Sequence, residues 1–355
     1  MTNEKALVAM SGGVDSSVAA YLLQKNFDCA GAIMQLLDKK VLGHDCPLNS
    51  IEDARSVAEK LGMAFHVFDN TVEFRKNVVE SFIACYEQGG TPNPCIQCNR
   101  YLKFDALLQN ALELGFAYIA TGHYARIEKN EQSGRYLLYR AKDKAKDQSY
   151  FLSCLTQHQL AHTQFPLGNL TKEEVRTIAE DNGFITARKR DSQDICFIPD
   201  GDYRSFMERY TQKKYPAGDF LDNTGKVIGK HTGAVGYTIG QRKGLGLAMG
   251  DPVYVCSKDM DKNTVTVGPD SALYQKALRA TDWNWIPFPA LTEPMRVLAK
   301  VRYRHTEQPA TVYPEADGYA RVEFDEPQRA ITAGQAVVLY DGDLVIGGGT
   351  ITEVI

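Results

Sequence analysis

A chain of 355 residues exceeds what one hydrophobic core usually supports, so two or three domains are expected. Its composition, 44% hydrophobic and 24% charged, argues against long disordered tracts, and a net charge of −4 leaves no overall basic footprint of a nucleic-acid binder. The opening MTNEKALVAM lacks the basic start and apolar run of a signal peptide, and no apolar run approaches the about 18 residues of a membrane span, so the expectation is a cytoplasmic protein with no membrane partner.

In chain order, Ala6 to Met10 reads as a buried strand that feeds a glycine loop, with a helix over Val18 to Leu23 beyond it. Ala30 to Leu36 reads as a second strand. Ser50-Ile51-Glu52-Asp53 opens an amphipathic helix that ends near Leu61-Gly62. Phe65 to Phe68 is a third strand, Phe74 to Tyr86 a helix and Tyr118 to Ala120 a fourth strand. Thr171-Lys172-Glu173-Glu174 is a capping box for a helix closed at Asn182-Gly183. This alternation predicts βαβ units and a parallel sheet. After about residue 215 helical periodicity fades. Arg296 to Tyr303, Ala310 to Tyr313, Tyr319 to Phe324 and Ala336 to Tyr340 read as strands of a small barrel or sandwich, punctuated by turns such as Asn-Thr-Gly, Asp-Gly and Gly-Gly-Gly. The expected domains are residues 1–202, 203–272 and 273–355.

Ser11-Gly12-Gly13-Val14-Asp15-Ser16-Ser17 lies between a predicted strand and a predicted helix. Two glycines let successive N–H groups turn toward an anion, and the helix adds its positive dipole end. Ser11, Ser16 and Ser17 supply hydroxyls, and Asp15 could hold Mg²⁺ between phosphates. The loop has neither the spacing and lysine of the Walker A pattern nor the three glycines of the dinucleotide fingerprint. It resembles the pyrophosphate loop of the ATP pyrophosphatases, which adenylate an oxygen of their substrate and then let a nucleophile displace AMP.

Eight cysteines in such a chain read as reduced thiols, metal ligands or redox catalysts. Cys95 and Cys98 lie in Thr91-Pro92-Asn93-Pro94-Cys95-Ile96-Gln97-Cys98, where prolines set an extended approach and a helix begins near Cys95. A thiol at such a start is expected to have a lowered pKa. Cys196 follows the basic cluster Arg188-Lys189-Arg190 within Asp191-Ser192-Gln193-Asp194-Ile195-Cys196. Cys29, Cys85 and Cys154 read as buried filler, while Cys46 and Cys256 are undecided. Residues 135–146 hold Arg135, Arg140, Lys142, Lys144 and Lys146 against Asp143, which fits a solvated loop or an RNA contact equally well.

With SGGVDSS, TPNPCIQCN, ATGHYAR, KDQSYFL, DSQDICFI, HTGAVGYTIGQRKGLG and the late RYRH and AGQAVVLY segments, the chain resembles the bacterial tRNA-specific 2-thiouridylase (MnmA/TrmU) family nearly end to end. The resemblance implies an α/β fold: a parallel-sheet ATP-pyrophosphatase (adenine nucleotide α-hydrolase-like) domain, a small linking module and a C-terminal β-barrel that contacts tRNA. It implies a transferase that uses ATP with Mg²⁺ to adenylate the C2 carbonyl oxygen of the wobble uridine, U34, of tRNA. Cys196 matches the thiol that carries a persulfide from a cysteine desulfurase or relay, and Cys98 the thiol that resolves it as a disulfide. Ala9 to Ser17, Met34 and Gly122 match ATP contacts. Asn93, Pro94, His123, Lys146, Asp147, Gln148, Arg304, His305 and Gln335 match tRNA contacts.

Cys95 stands where many members of the family have an aspartate, which leaves open a [4Fe-4S] cluster on Cys95, Cys98 and Cys196 beside persulfide chemistry. Arg242-Lys243 reads as a phosphate clamp in a glycine-flanked loop. A pyrophosphatase-type ligase acting on a small metabolite is the competing reading; it needs neither the three cysteines nor the β domain.

Overall fold

The structure, a computed structural model, describes residues 4–43, 49–187, 189 and 195–355. Cys46, Pro47, Arg188, Arg190 and Asp191 to Asp194 lie outside the described residues.

Strands β1 (Lys5–Ala9), β2 (Asp28–Gln35), β3 (Phe65–Asp69), β4 (Tyr118–Ala120), β5 (Ala125–Lys129), β6 (Tyr136–Arg140) and β7 (Thr163–Gln164) come first in the chain. Five of them form a parallel sheet in the order β3-β2-β1-β4-β7. Leu7 and Val8 of β1 are fully buried, as expected of a central strand with a nearly continuous apolar run. The chain leaves β1 toward β2 on one side and reaches β4 on the other, with Leu7 in register with Ala30 and with Ile119. That reversal puts a crevice at the carboxyl ends of β1 and β4, where open α/β sheets hold ligands.

The predicted helices form with shifted ends. The first spans Val14–Leu23, starting at the glycine loop itself. The next spans Asn49–Lys60, so Ser50 lies inside its first turn, and Gly62 follows at φ 69°. Residues 71–87 make one helical run that passes through a π-helical stretch at Arg75–Glu80. The capping box at Thr171 is present in both halves and starts the helix Lys172–Asp181, which Gly183 closes at φ 58°.

Strands β8 (Gly218–Leu221), β9 (Val227–His231), β10 (Tyr254–Asp259) and β11 (Thr264–Gly268) form a small sheet around Phe220, Val255 and Val265. Then follow β12 (Tyr274–Trp285), β13 (Met295–Lys300), β14 (Gln308–Pro314), β15 (Ala320–Arg329), β16 (Ala336–Asp341) and β17 (Leu344–Val354). Their order β12-β15-β14-β13-β16-β17, closed by pairing of β12 with β17, is a six-stranded barrel. A barrel, not a sandwich, therefore closes the chain.

The Gly-Gly-Gly tract corrects the sequence reading. Gly347, Gly348 and Gly349 lie inside β17 rather than in a turn. A Cβ on them would sit 2.6 Å from the Asn284 carbonyl oxygen, 2.4 Å from Ser153 Oγ and 2.7 Å from the Trp283 ring. The absent side chains let the stacked Trp283 and Trp285 rings, 4.7 Å apart, and the Ser153 segment close onto the barrel. The hairpin β5–β6 was also not anticipated. It lies early in the chain yet pairs with β17 through Tyr139 and Leu344, so the barrel sheet extends into the first part of the molecule.

Candidate active site

The glycine loop is fixed from within. Gly12 adopts φ 70°, and a Cβ there would meet the Ser50 carbonyl oxygen at 2.6 Å. Ser16 Oγ and Ser17 Oγ donate back to the Gly13 carbonyl at 3.1 and 2.9 Å, and Ser16 Oγ accepts from the Ser11 N–H at 3.2 Å. Ser17 Oγ also lies 3.0 Å from Thr186 Oγ1. Gly122, after β4, must be glycine for packing reasons: a Cβ would lie 2.7 Å from the Ser16 nitrogen. Met10 donates its N–H to Ala32 at 2.7 Å and is buried. Met34, half-buried on β2, packs between two apolar clusters and is not part of the cavity wall.

Two lysines from distant segments bear on this loop. Lys172 Nζ is 2.8 Å from both carboxylate oxygens of Asp15, and the Tyr124 hydroxyl donates to Oδ1 at 2.8 Å. Lys189 Nζ donates to the Gly12 carbonyl at 2.9 Å and pairs with Asp53. Asp15 thus presents its oxygens to an ammonium and a phenol, not as an open metal ligand. Among the described residues no three His, Cys, Asp or Glu side chains form a group that could hold a metal ion. The donor set fits neither a resident Mg²⁺ nor a cluster on Cys95, Cys98 and Cys196 in this conformation.

The second end of the site carries the thiols. Asn93 caps the short helix Pro94–Cys98 by accepting from the Ile96 N–H at 3.4 Å, with Pro94 at its first turn. The run continues as a π-helical stretch over Asn99–Ala106, which carries Lys103. Cys98 is 7% exposed, whereas Cys95 and Cys196 reach the surface. The thiols of Cys98 and Cys95 act electrostatically on that of Cys196, which puts three cysteines from two distant segments in one neighbourhood. The protein packed around the sulfurs desolvates all three thiols and pushes them up, Cys196 to about 12 even though Cys95 and Cys196 keep an edge at the surface, while the Lys103 charge pulls each of them down. The expected lowering at the helix start is therefore corrected. Withdrawal from water outweighs the pull of the helix start. Of the other cysteines, Cys154 is buried as expected, while Cys29 and Cys85 are half-buried, as is Cys256.

A cavity of about 1100 Å³ joins the two ends. Its wall runs from Ser11, Gly13 and Asp15 past His123 to Cys95, and the barrel side adds Lys300, Arg302, Arg304 and His305. Lys103, Lys144, Lys146, Lys172 and Lys189 complete its cations, with Asp15 and Asp147 the carboxylates. The wall is strongly positive although residues 281–355 hold six Lys and Arg against eleven Asp and Glu. The field shows in the histidines: burial first, then Lys103, pushes His123 well below its usual range. His305 is lowered by burial and by Arg302, Arg329 and Lys300.

Not every predicted residue faces this space with free polar groups. Asp147 is buried and accepts from Ala141 N–H at 3.0 Å and Ser149 Oγ at 2.8 Å, while Gln148 accepts from Tyr124 N–H at 2.9 Å. Gln335 donates to the carbonyls of Thr91 and Pro92, both at 3.0 Å, and so ties the barrel to the loop before Cys95. Arg242 and Lys243 are exposed and do not line the cavity. Sequence reasoning missed Lys103, Lys172, Lys300 and Arg302. The basic run Lys300-Val-Arg302-Tyr-Arg304 was a legible signal of charge; Lys300 ends β13, and Arg302 and Arg304 lie in the turn after it rather than on one face of a strand.

Residues 4–200 match the family described as a tRNA methyl transferase HUP domain, residues 204–269 the tRNA methyl transferase PRC-barrel domain, and residues 275–351 the aminomethyltransferase beta-barrel domain. Among curated proteins, the tRNA-specific 2-thiouridylase MnmA of Acetivibrio thermocellus is 49% identical over 358 residues, covering 99% of this chain and 100% of that protein. That of Heliobacterium modesticaldum is 51% identical over 357 residues, covering 99% of this chain and 93% of the other. That of Clostridioides difficile is 46% identical over 356 residues, covering 99% of each.

Proposed function

The chain belongs to the tRNA-specific 2-thiouridylase family, and on that premise we propose that it thiolates C2 of the wobble uridine U34 of tRNA at the expense of ATP, through an adenylated intermediate and a Cys196 persulfide. A uridine carbonyl oxygen leaves poorly. Its attack on the α-phosphorus forms an O–P bond, breaks the bond to pyrophosphate and turns the oxygen into part of an AMP leaving group. The glycine loop, with its N–H groups, hydroxyls and helix start, stabilises the departing pyrophosphate.

The terminal sulfur of the Cys196 persulfide then forms a bond to C2, and AMP departs with the C2 oxygen. Cys98 attacks Cys196 Sγ, the persulfide S–S bond breaks, and its electron pair stays with the sulfur that becomes the thiocarbonyl. The resulting Cys98–Cys196 disulfide is reduced by a thiol reductant, and a cysteine desulfurase or a persulfide relay reloads Cys196. Arg304, His305, Lys144 and Lys146 line the cavity and would meet the RNA backbone, while Asn93, Pro94 and Gln335 would act by shaping the loop that holds Cys95. The chain would work as three units, residues 1–202, 203–272 and 273–355.

The observation that carries this reading is the single cationic cavity reaching from the glycine loop to the thiol loop, large enough for a nucleotide and a flipped base together. A small-molecule ligase has no use for the thiols or for the barrel's basic wall. Purified protein with MgATP, a persulfide donor and tRNA bearing U34 is expected to yield 2-thiouridine, AMP and pyrophosphate. Thiolation retained by Cys196→Ser would sink the persulfide role. Iron and acid-labile sulfide assays on active, anaerobically purified enzyme separate persulfide chemistry from a cluster.

A further inference from the structure

Lys172 sits where two rules of construction disfavour it. It is the first residue of the helix Lys172–Asp181, at the positive end of the dipole, where a cation is unfavourable. It is also 9% exposed, and lysine leaves water only when its charge is met. The charge is met by Asp15, with both oxygens at 2.8 Å, and the same carboxylate accepts from Tyr124, itself 2% exposed. Lys172, Asp15 and Tyr124 lie together in the cavity wall beside Ser11 and Gly13.

A carboxylate within a loop whose donors face an anion repels the ligand the loop is shaped for. Pairing it with an ammonium removes that repulsion. It also leaves a positive charge held from behind at the phosphate end of the cavity. We infer that Lys172 is a catalytic residue: its ammonium, aimed by Asp15 and Tyr124, contacts the pyrophosphate that leaves the α-phosphorus. The inference rests on the reading of the chain as an ATP-dependent thiolating enzyme, and adds the cation that receives the leaving group. As the bond from the α-phosphorus to the bridging oxygen breaks, its electron pair goes to pyrophosphate and the charge gathers opposite Lys172. No proton moves; Lys172 acts through charge, and Asp15 is the positioning residue that orients it.

Calorimetric titration of the full-length protein with inorganic pyrophosphate and, separately, with AMP tests this. Lys172→Met is expected to weaken pyrophosphate binding about tenfold or more while AMP binding stays as in the wild type. Lys172→Arg keeps most of the pyrophosphate affinity, and serves with Lys172→Gln should the methionine variant fold poorly. The double variant Asp15→Asn with Lys172→Met decides between catalysis and mere charge cancellation. If Lys172 only neutralises Asp15, removing both charges restores pyrophosphate binding; if it holds pyrophosphate, binding stays weak. Unchanged pyrophosphate affinity in Lys172→Met, or restoration in the double variant, overturns the inference while leaving the functional reading intact. A wild-type protein that binds neither ATP nor pyrophosphate overturns both.

Discussion

The two ends of the cavity are prepared for chemistry in opposite ways. At the phosphate end, each serine hydroxyl has a backbone or hydroxyl partner, Gly12 and Gly122 allow approaches no side chain would, and Lys172 and Lys189 pin the loop from two later segments. At the thiol end desolvation raises all three sulfurs, and the Lys103 charge opposes that rise at each of them. Charge stabilisation at a departing phosphate works best from groups already in place. A thiol that transfers sulfur has a different requirement, since only its thiolate takes up sulfur and a raised thiol stays protonated until its surroundings change. On the proposed mechanism, the difference teaches that the resting fold is ready for adenylation, whereas sulfur transfer would wait on an event: the charging of Cys196, the arrival of RNA, or both.

Removing the thiol is the strongest way to break that comparison. Cys196→Ser is expected to abolish thiolation while ATP binding, read by calorimetry, stays at the wild-type level. Loss of both together would show the ends to be one unit. The converse change is Asp15→Ala. It leaves Lys172 without its carboxylate and is expected to lower kcat/KM for thiolation by about a hundredfold, as deletion of a preorganised charge partner does. Loading of Cys196 with persulfide, followed by mass spectrometry, should be untouched.

How much of this was legible follows from the range of the interactions involved. The glycine loop, the Thr171 capping box and the β1–β4 strands are written in adjacent residues, and each formed close to where the pattern put it. The strand β17 was misread because its glycines are chosen for contact with Trp283 and Ser153, which lie far away in sequence. The charge of the cavity was hidden in the same way. An acidic barrel sequence contributes Lys300, Arg302 and Arg304 to one wall because β13 ends at Lys300 and the turn that follows it carries the two arginines to the cavity. Lys172 read only as a capping-box residue, since its partner Asp15 is 157 positions away.

Lys103 offers a gentler test of the thiol end. Its charge favours the thiolate of Cys95, Cys98 and Cys196. With these groups raised, the thiolate fraction is small at neutral pH and grows as pH climbs toward each pKa. Removing the cation raises the thiols further, so Lys103→Met should shift the pH profile of iodoacetamide alkylation to the alkaline side and slow it about tenfold near pH 7, with the rates converging at high pH. An unshifted profile would mean that Lys103 does not tune the thiols.

The smallest effect concerns how the thiol end is held. Gln335 spans the barrel and the loop before Cys95 with two hydrogen bonds to the carbonyls of Thr91 and Pro92, and Thr91 also donates its N–H to the Ala333 carbonyl at 2.9 Å. Gln335→Ala leaves two carbonyls short of a donor, which costs about 1–2 kcal/mol, a few degrees in the thermal unfolding midpoint. If the thiol end depends on the barrel for its shape, that variant should lose thiolation more than ATP affinity, because the phosphate end has no bond to Gln335. Equal losses at both ends would mean that the barrel stabilises the molecule as a whole and does not tune the thiols. A loss confined to thiolation would make the barrel part of the sulfur chemistry, through the loop it anchors.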